Sequence, residues 1–297
     1  MTKKDIGIAL WVILLWSSNL IVQKIAVGCL SVFVLSFLRI AFVLPLLFLY
    51  PKPPKNLWKY AVCGFFVSAL YLILFGLGLK MIGAGISAFV LQLQVFFAIL
   101  CCFLILGEKP TWYQTIGIFM SCIGVYFMKA NSSPADFPMV GVLLLIGCCF
   151  CYGMGIAFSK KYKVGGSIAD ITWMSVTAVV PLLFTCLVVE GPVETVDMIV
   201  HIPMLGLFCV LYATVVSTIW GASLWLSLLQ RAPAPAVVSF TLLIPIFSNI
   251  LSNVILGETL SHIQMVAGFM IILGVMLAQG LHQYIPVFTY WVKKKVA

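Results

Sequence analysis

A chain of 297 residues that is 63% hydrophobic, only 8% charged and of mean hydropathy +1.19 cannot cover a soluble globule, whose surface takes about a quarter of its residues as charges. The net charge of +9 does not point to nucleic acid, because the basic residues sit at alternate loops instead of forming a patch interleaved with aromatics. The ten cysteines lie almost all inside apolar runs, lack the context of a disulfide frame or zinc site, and read as packing residues; no cofactor or metal is expected.

The apolar runs have the ~20-residue length that crosses a bilayer. Ten fit, at roughly 5–25, 31–50, 57–79, 83–106, 111–128, 138–160, 168–189, 203–229, 235–256 and 260–282. Lys3-Lys4 before the first run imitates a signal peptide, and Ala26-Val27-Gly28-Cys29 faintly imitates a lipoprotein cleavage site, but the run is read as a retained first helix. With the N-terminus inside, the cytoplasmic segments hold 13 basic residues (Lys3, Lys4, Lys52, Lys55, Lys59, Lys109, Lys160, Lys161, Lys163, Arg231, Lys293, Lys294, Lys295) against 3 opposite (Lys24, Lys80, Lys129). This bias places both termini in the cytoplasm and the acidic loop Glu190, Glu194, Asp197 outside.

One stretch occurs twice. Ile105–Val125 laid over Ile255–Val275 at an offset of 150 gives 9 identities in 21 positions, opening on Ile-Leu-Gly-Glu in both. Upstream the offset is 136, where Trp16 meets Tyr152, Lys24 meets Lys160 and Pro45 meets Pro181; the extra 14 residues fall between spans seven and nine, at Glu190–His201. Five spans per half is an odd number, so the halves enter the membrane from opposite sides. The expected architecture is an all-α integral membrane protein of ten transmembrane helices in two inverted five-helix repeats, 1–130 and 137–284, with a basic cytoplasmic tail at 285–297.

Five-plus-five spans, the arginine of Leu38-Arg39 in span two and the Gly-Glu hairpins before spans five and ten resemble the EamA family of the drug/metabolite transporter superfamily, over essentially the whole chain. Val90–Phe97, with its two glutamines, and Leu242-Leu243-Ile244-Pro245 look most similar to bacterial exporters of cysteine and O-acetylserine. The resemblance implies a carrier that exports a small amino-acid-type metabolite across the inner membrane by alternating access. One departure matters: Trp16-Ser17-Ser18-Asn19 faces Tyr152-Gly153-Met154-Gly155 in the second half, which lacks the amide.

Polar side chains inside spans should point to a partner helix or an aqueous cavity. Trp16 and Asn19, three apart, share one helical face and could form an aromatic wall and amide for a substrate, or a wedge closing the bundle. Gln92 and Gln94 project about 200° apart, so both can line one cavity only if the helix is unwound there; Gln94 is the favoured cavity member and the other would bond a neighbouring helix. Tyr71, Tyr152, Trp225 and Asn249 complete the expected substrate-binding set, and Pro245 should interrupt span nine and free a carbonyl. Arg39 is either an anion-pairing group or an interhelical clamp reaching toward Glu108. Glu108 and Glu258 follow a glycine that can end one helix and precede the next, a place where a carboxylate complements an N-terminal helix dipole. No other acid occupies a span core, so a carboxylate proton relay has little to work with.

Two other functions compete. A carrier for a larger aromatic or nucleoside-like metabolite or drug would show two or more aromatics stacked around one volume. A lipid-handling membrane protein would open its cavity sideways. An intramembrane enzyme is not expected, since the three histidines fall at span ends and no Gly-x-Ser-x-Gly or His-Glu-x-x-His motif occurs. The expected partners are a small-molecule substrate and the lipid bilayer, with no nucleic acid; monomer and homodimer both remain open.

Overall fold

A computed structural model of the chain describes residues 1–130 and 138–280; the 131–137 link and the expected basic tail at 285–297 lie outside the described residues. In order the helices are α1 (Lys3–Cys29), α2 (Val32–Phe48), α3 (Leu57–Met81), α4 (Ala84–Leu106), α5 (Trp112–Ala130), α6 (Met139–Tyr162), α7 (Ile168–Val189), a short α8 (Pro192–Val200), α9 (Met204–Arg231), α10 (Ala236–Leu256) and α11 (His262–Ala278). Among the described residues no strand forms. α1, α3, α4, α6, α7, α9 and α10 are long and apolar enough to cross a membrane, and α2 and α11 are shorter apolar helices. Large side chains such as Phe119, Phe184, Phe208 and Val254 point outward, as in a bundle bathed by hydrocarbon.

Local chemistry fixes the ends. Reciprocal side-chain caps start α1 (Thr2 with Asp5), α7 (Ser167 with Asp170) and α11 (Ser261 with Gln264), each occupying N–H groups that have no partner within the helix. Gly107 (φ 73°) and Gly257 (φ 69°), the glycines of the two Ile-Leu-Gly-Glu stretches, end α4 and α10 in the left-handed conformation that a side chain disfavours. The extra residues of the second half form α8, whose Val193, Val196 and Val200 are exposed.

α5 and α11 cross in antiparallel sense with almost no side chain between them: a Cβ on Gly117 would lie 2.3 Å from the Gly274 carbonyl oxygen, and one on Gly124 would lie 2.9 Å from that of Ala267. At the crossing Ser121 Oγ donates to the Ile271 carbonyl at 3.3 Å, a partner 150 positions further on. A second contact of this kind joins α4 to α10, where Gln92 Nε2 donates to the Thr241 carbonyl at 3.3 Å, 149 positions away. Both helices are interrupted there. Gln92, Gln94 and Val95 donate their amides three residues back instead of four, and Ser239–Leu243 tightens in the same way. Pro245 has no N–H for the Thr241 carbonyl four residues earlier, and that carbonyl accepts instead from the Ile244 backbone N–H and the Gln92 side-chain amide.

Candidate functional site

A cavity of about 940 Å³ lies between α1, α2, α3, α4, α6, α9 and α10. Trp16, Asn19, Tyr71, Gln94, Tyr152 and Trp225 all line it, together with Arg39. Two aromatic pairs form its walls: Trp16 and Trp225, with ring centroids 5.0 Å apart, and Tyr71 and Tyr152, 5.9 Å apart. The Trp16 indole N–H donates to the Ser217 carbonyl at 3.3 Å, and Gly221 gives the ring room, since a Cβ there would stand 3.0 Å from its nitrogen. Asn19, one turn on, keeps a buried Oδ1 with no hydrogen-bond partner among the described residues. Ser18 turns to another helix, 2.6 Å from the Tyr212 hydroxyl.

Arg39 reaches α9, not Glu108. Its Nη2 donates to Thr218 Oγ1 at 3.2 Å, while Thr214 Oγ1 donates to the Arg39 carbonyl at 3.0 Å. Among the described residues no carboxylate pairs with it; Glu108 forms an ion pair with Lys160, and Asp197 Oδ1 lies 2.9 Å from His201 Nδ1. The exposed Glu108 has its charge met by Lys160 instead.

The condition under which both glutamines reach one cavity is fulfilled, because the chain around Leu91–Gln92 abandons the regular α-helical turn. Both line the cavity wall; Gln92 is the one that bonds a neighbouring helix, and among the described residues Gln94 finds no side-chain hydrogen-bond partner. Asn249 is the exception among the expected residues. It does not line the cavity: its amide donates to the carbonyls of Gly85 at 3.3 Å and Pro245 at 2.7 Å, packed where a Cβ on Gly85 would meet its Oδ1 at 2.5 Å. A small residue opposite, invisible to helical periodicity, drew the amide into that interface.

The two ends of the cavity differ. At one, the lining runs out to exposed Glu108, Lys109 and Lys160, with Lys160 Nζ 2.6 Å from Glu108 Oε2. At the other, beyond Leu20 and Phe75, Leu79 and Ile82 are fully buried and Lys24 Nζ donates to their carbonyls at 2.6 and 2.8 Å. Glu258 accepts from the backbone N–H groups of Ala84 and Gly85, both at 3.1 Å, and from Ser252 Oγ. It therefore serves the start of α4, whereas α11, the helix that follows it, is capped by Ser261; the carboxylate goes to the N-terminus still lacking a partner. Ser217 and Thr218 were not anticipated. Their signal is faint, since with Thr214 they recur at three- and four-residue spacing like ordinary small packing residues.

The model of the EamA-like transporter family matches residues 4–130 and 139–279. A probable amino-acid metabolite efflux pump of Salmonella typhimurium is 27% identical over 301 residues, covering 99% of this chain and 98% of the relative. One of the same description from Escherichia coli is 27% identical over 286 residues, covering 92% and 94%. A solved crystal structure superposes with a TM-score of 0.58 at 16% identity over 96% of this chain and all of the other, which speaks for the fold alone. With two matched segments that together span most of its length, this chain belongs to the EamA-like transporter family.

Proposed function

We propose that the protein exports a small amino-acid-type metabolite, of the cysteine or O-acetylserine kind, across the bacterial inner membrane by alternating access around the central cavity. The observation that carries this reading is the cavity itself: polar and aromatic groups converge in its middle, one mouth is lined by exposed charge, and the other is sealed by buried Leu79 and Ile82. Relatives described as amino-acid metabolite efflux pumps supply the substrate class. The positive-inside bias makes the Glu108 end cytoplasmic, so this is the inward-facing conformation, with both termini inside.

Two inverted repeats of five spans each account for the self-equivalent contacts. Under a two-fold relation only residues on the axis touch their own counterparts, and Ser121 with Ile271 do so at an offset of 150 between antiparallel helices. The paired interruptions in α4 and α10 meet at nearly the same offset. Broken helices facing one another across a repeat boundary are where transporters of this build hold their substrate.

Trp16, Asn19, Tyr71, Gln94, Tyr152 and Trp225 are the residues assigned to substrate; Glu108 and Glu258 act at the helix ends. A second reading, a larger aromatic or nucleoside-like substrate, is favoured by the two aromatic pairs around one volume. Proteoliposome flux across a panel of labelled amino acids and nucleosides tests both. Cysteine or O-acetylserine moving faster than in empty vesicles is the expected result; flux for nucleosides alone would transfer the assignment, and flux equal to empty vesicles throughout would end it.

A further inference from the structure

We propose that Arg39 and Asn19 form a zwitterion clamp, the guanidinium taking the α-carboxylate and the Asn19 amide oxygen taking the α-ammonium of an amino acid. This rests on the export reading above. A guanidinium offers five N–H donors, and among the described residues only one hydrogen bond to a protein acceptor, Thr218 Oγ1, uses them. Inside an apolar bundle such a charge is costly without an anion, and no carboxylate among the described residues supplies one. The complementary group is close by. Thr218 is next to Ser217, whose carbonyl holds the Trp16 indole, and Asn19 lies one turn beyond Trp16 with its oxygen buried and unpartnered. A lone cation in the cavity interior matches a monoanionic carboxylate better than a phosphate dianion, and an acceptor without a donor matches an ammonium.

The test is isothermal calorimetry on the purified full chain in nanodiscs with cysteine, cysteine methyl ester, cysteamine and N-acetylcysteine. Cysteine should bind at least about tenfold tighter than the ester and cysteamine, which lack the carboxylate, and Arg39→Gln should abolish that preference. Asn19→Leu should weaken cysteine and leave N-acetylcysteine unchanged. Ester and acid binding alike to the wild-type chain overturns the clamp while the export reading stands; no binding by any amino acid overturns both. If Arg39→Gln fails to fold, the wild-type comparison still decides.

A separate observation carries a second proposal. We infer that Lys24 with Glu258, and Lys160 with Glu108, are alternating latches on equivalent helix turns. Lys24 holds the last carbonyls of α3 and Glu258 the first N–H groups of α4, so together they clamp the α3–α4 turn at the sealed end. Their counterparts at the open mouth bond only each other and leave the α9–α10 turn alone. When the cavity opens to the other side, Lys160 and Glu108 exchange partners and clamp that turn. The second latch is weaker, because the counterpart of Gly85 is Pro235, which has no N–H to donate. Hydrogen exchange on the full chain in nanodiscs reads this directly. Glu258→Gln should speed exchange at Ala84–Ser87 and slow it at the start of α10, whereas Glu108→Gln should leave Ala84–Ser87 protected. Faster exchange at Ala84–Ser87 with no change at α10 would reduce Glu258 to a local cap and overturn the latch; Lys24→Met, which removes the other half of the clamp, gives the same readout if Glu258→Gln does not fold.

Discussion

Gly117→Ala places one methyl group at the closest approach of α5 and α11. Its carbon would stand 2.3 Å from the Gly274 carbonyl oxygen, 2.7 Å from the Ala278 nitrogen and 3.2 Å from the Ala278 Cα, all backbone atoms that cannot rotate away. The helices must therefore separate, costing about 2–3 kcal/mol of overpacking, the upper part of the usual range because two backbone atoms would lie within 3 Å. Alanine offsets roughly 1 kcal/mol of this through its better helix propensity. A net loss of about 1–2 kcal/mol corresponds to a fall in apparent Tm of roughly 2–8 °C for a chain of this size. Gly7→Ala is the internal control: nothing lies within 4 Å of its added carbon, so propensity acts alone and Tm should hold or rise. Thermal scans of both purified variants, read by monodispersity and tryptophan fluorescence, decide the matter. Gly117→Ala melting at or above the wild type would mean that the two helices do not meet at this distance.

Trp16→Ala should slow amino-acid flux about tenfold in proteoliposomes with Tm shifted by only a few degrees, because the ring borders the cavity; unchanged flux removes Trp16 from the substrate path. Asp170→Asn should cost about 1–2 kcal/mol, since the carboxylate accepts from the amides of Gly166 and Ser167 and from the Tyr60 hydroxyl; Tyr60→Phe, losing only the last at 2.9 Å, should cost less in the same melting assay. A pH gradient alone should not drive uphill uptake, because Glu108, at the mouth, is the one acid among the cavity-lining residues; clear proton-driven accumulation refutes this.

Much of the site was legible because it obeys helical geometry. Trp16 and Asn19 share a face at three-residue spacing, and a polar or aromatic residue inside an apolar run has few places to go but a partner helix or a cavity. Gln92 and Gln94 show where that logic ends: whether two residues two apart can share a wall depends on the turn between them, and that turn tightens where it meets a partner interruption 149 positions away. Asn249 fits the same polar-in-apolar rule as Gln94, yet it is taken up by Gly85.

By itself the sequence determined that this chain is a helical membrane protein with a repeated unit: mean hydropathy, run lengths and the duplicated Ile-Leu-Gly-Glu are properties of local composition, and local composition decides what can sit in lipid. Only the tertiary structure decided which polar groups meet. Glu108 found Lys160 while its twin Glu258 found the N-terminus of α4, although both close an identical Ile-Leu-Gly-Glu stretch. The physical reason is that a carboxylate takes the nearest unpaired donor, and which donor is nearest depends on how two halves of the chain pack, at separations of 52 residues for Glu108 and 173–174 for Glu258 that no local pattern encodes.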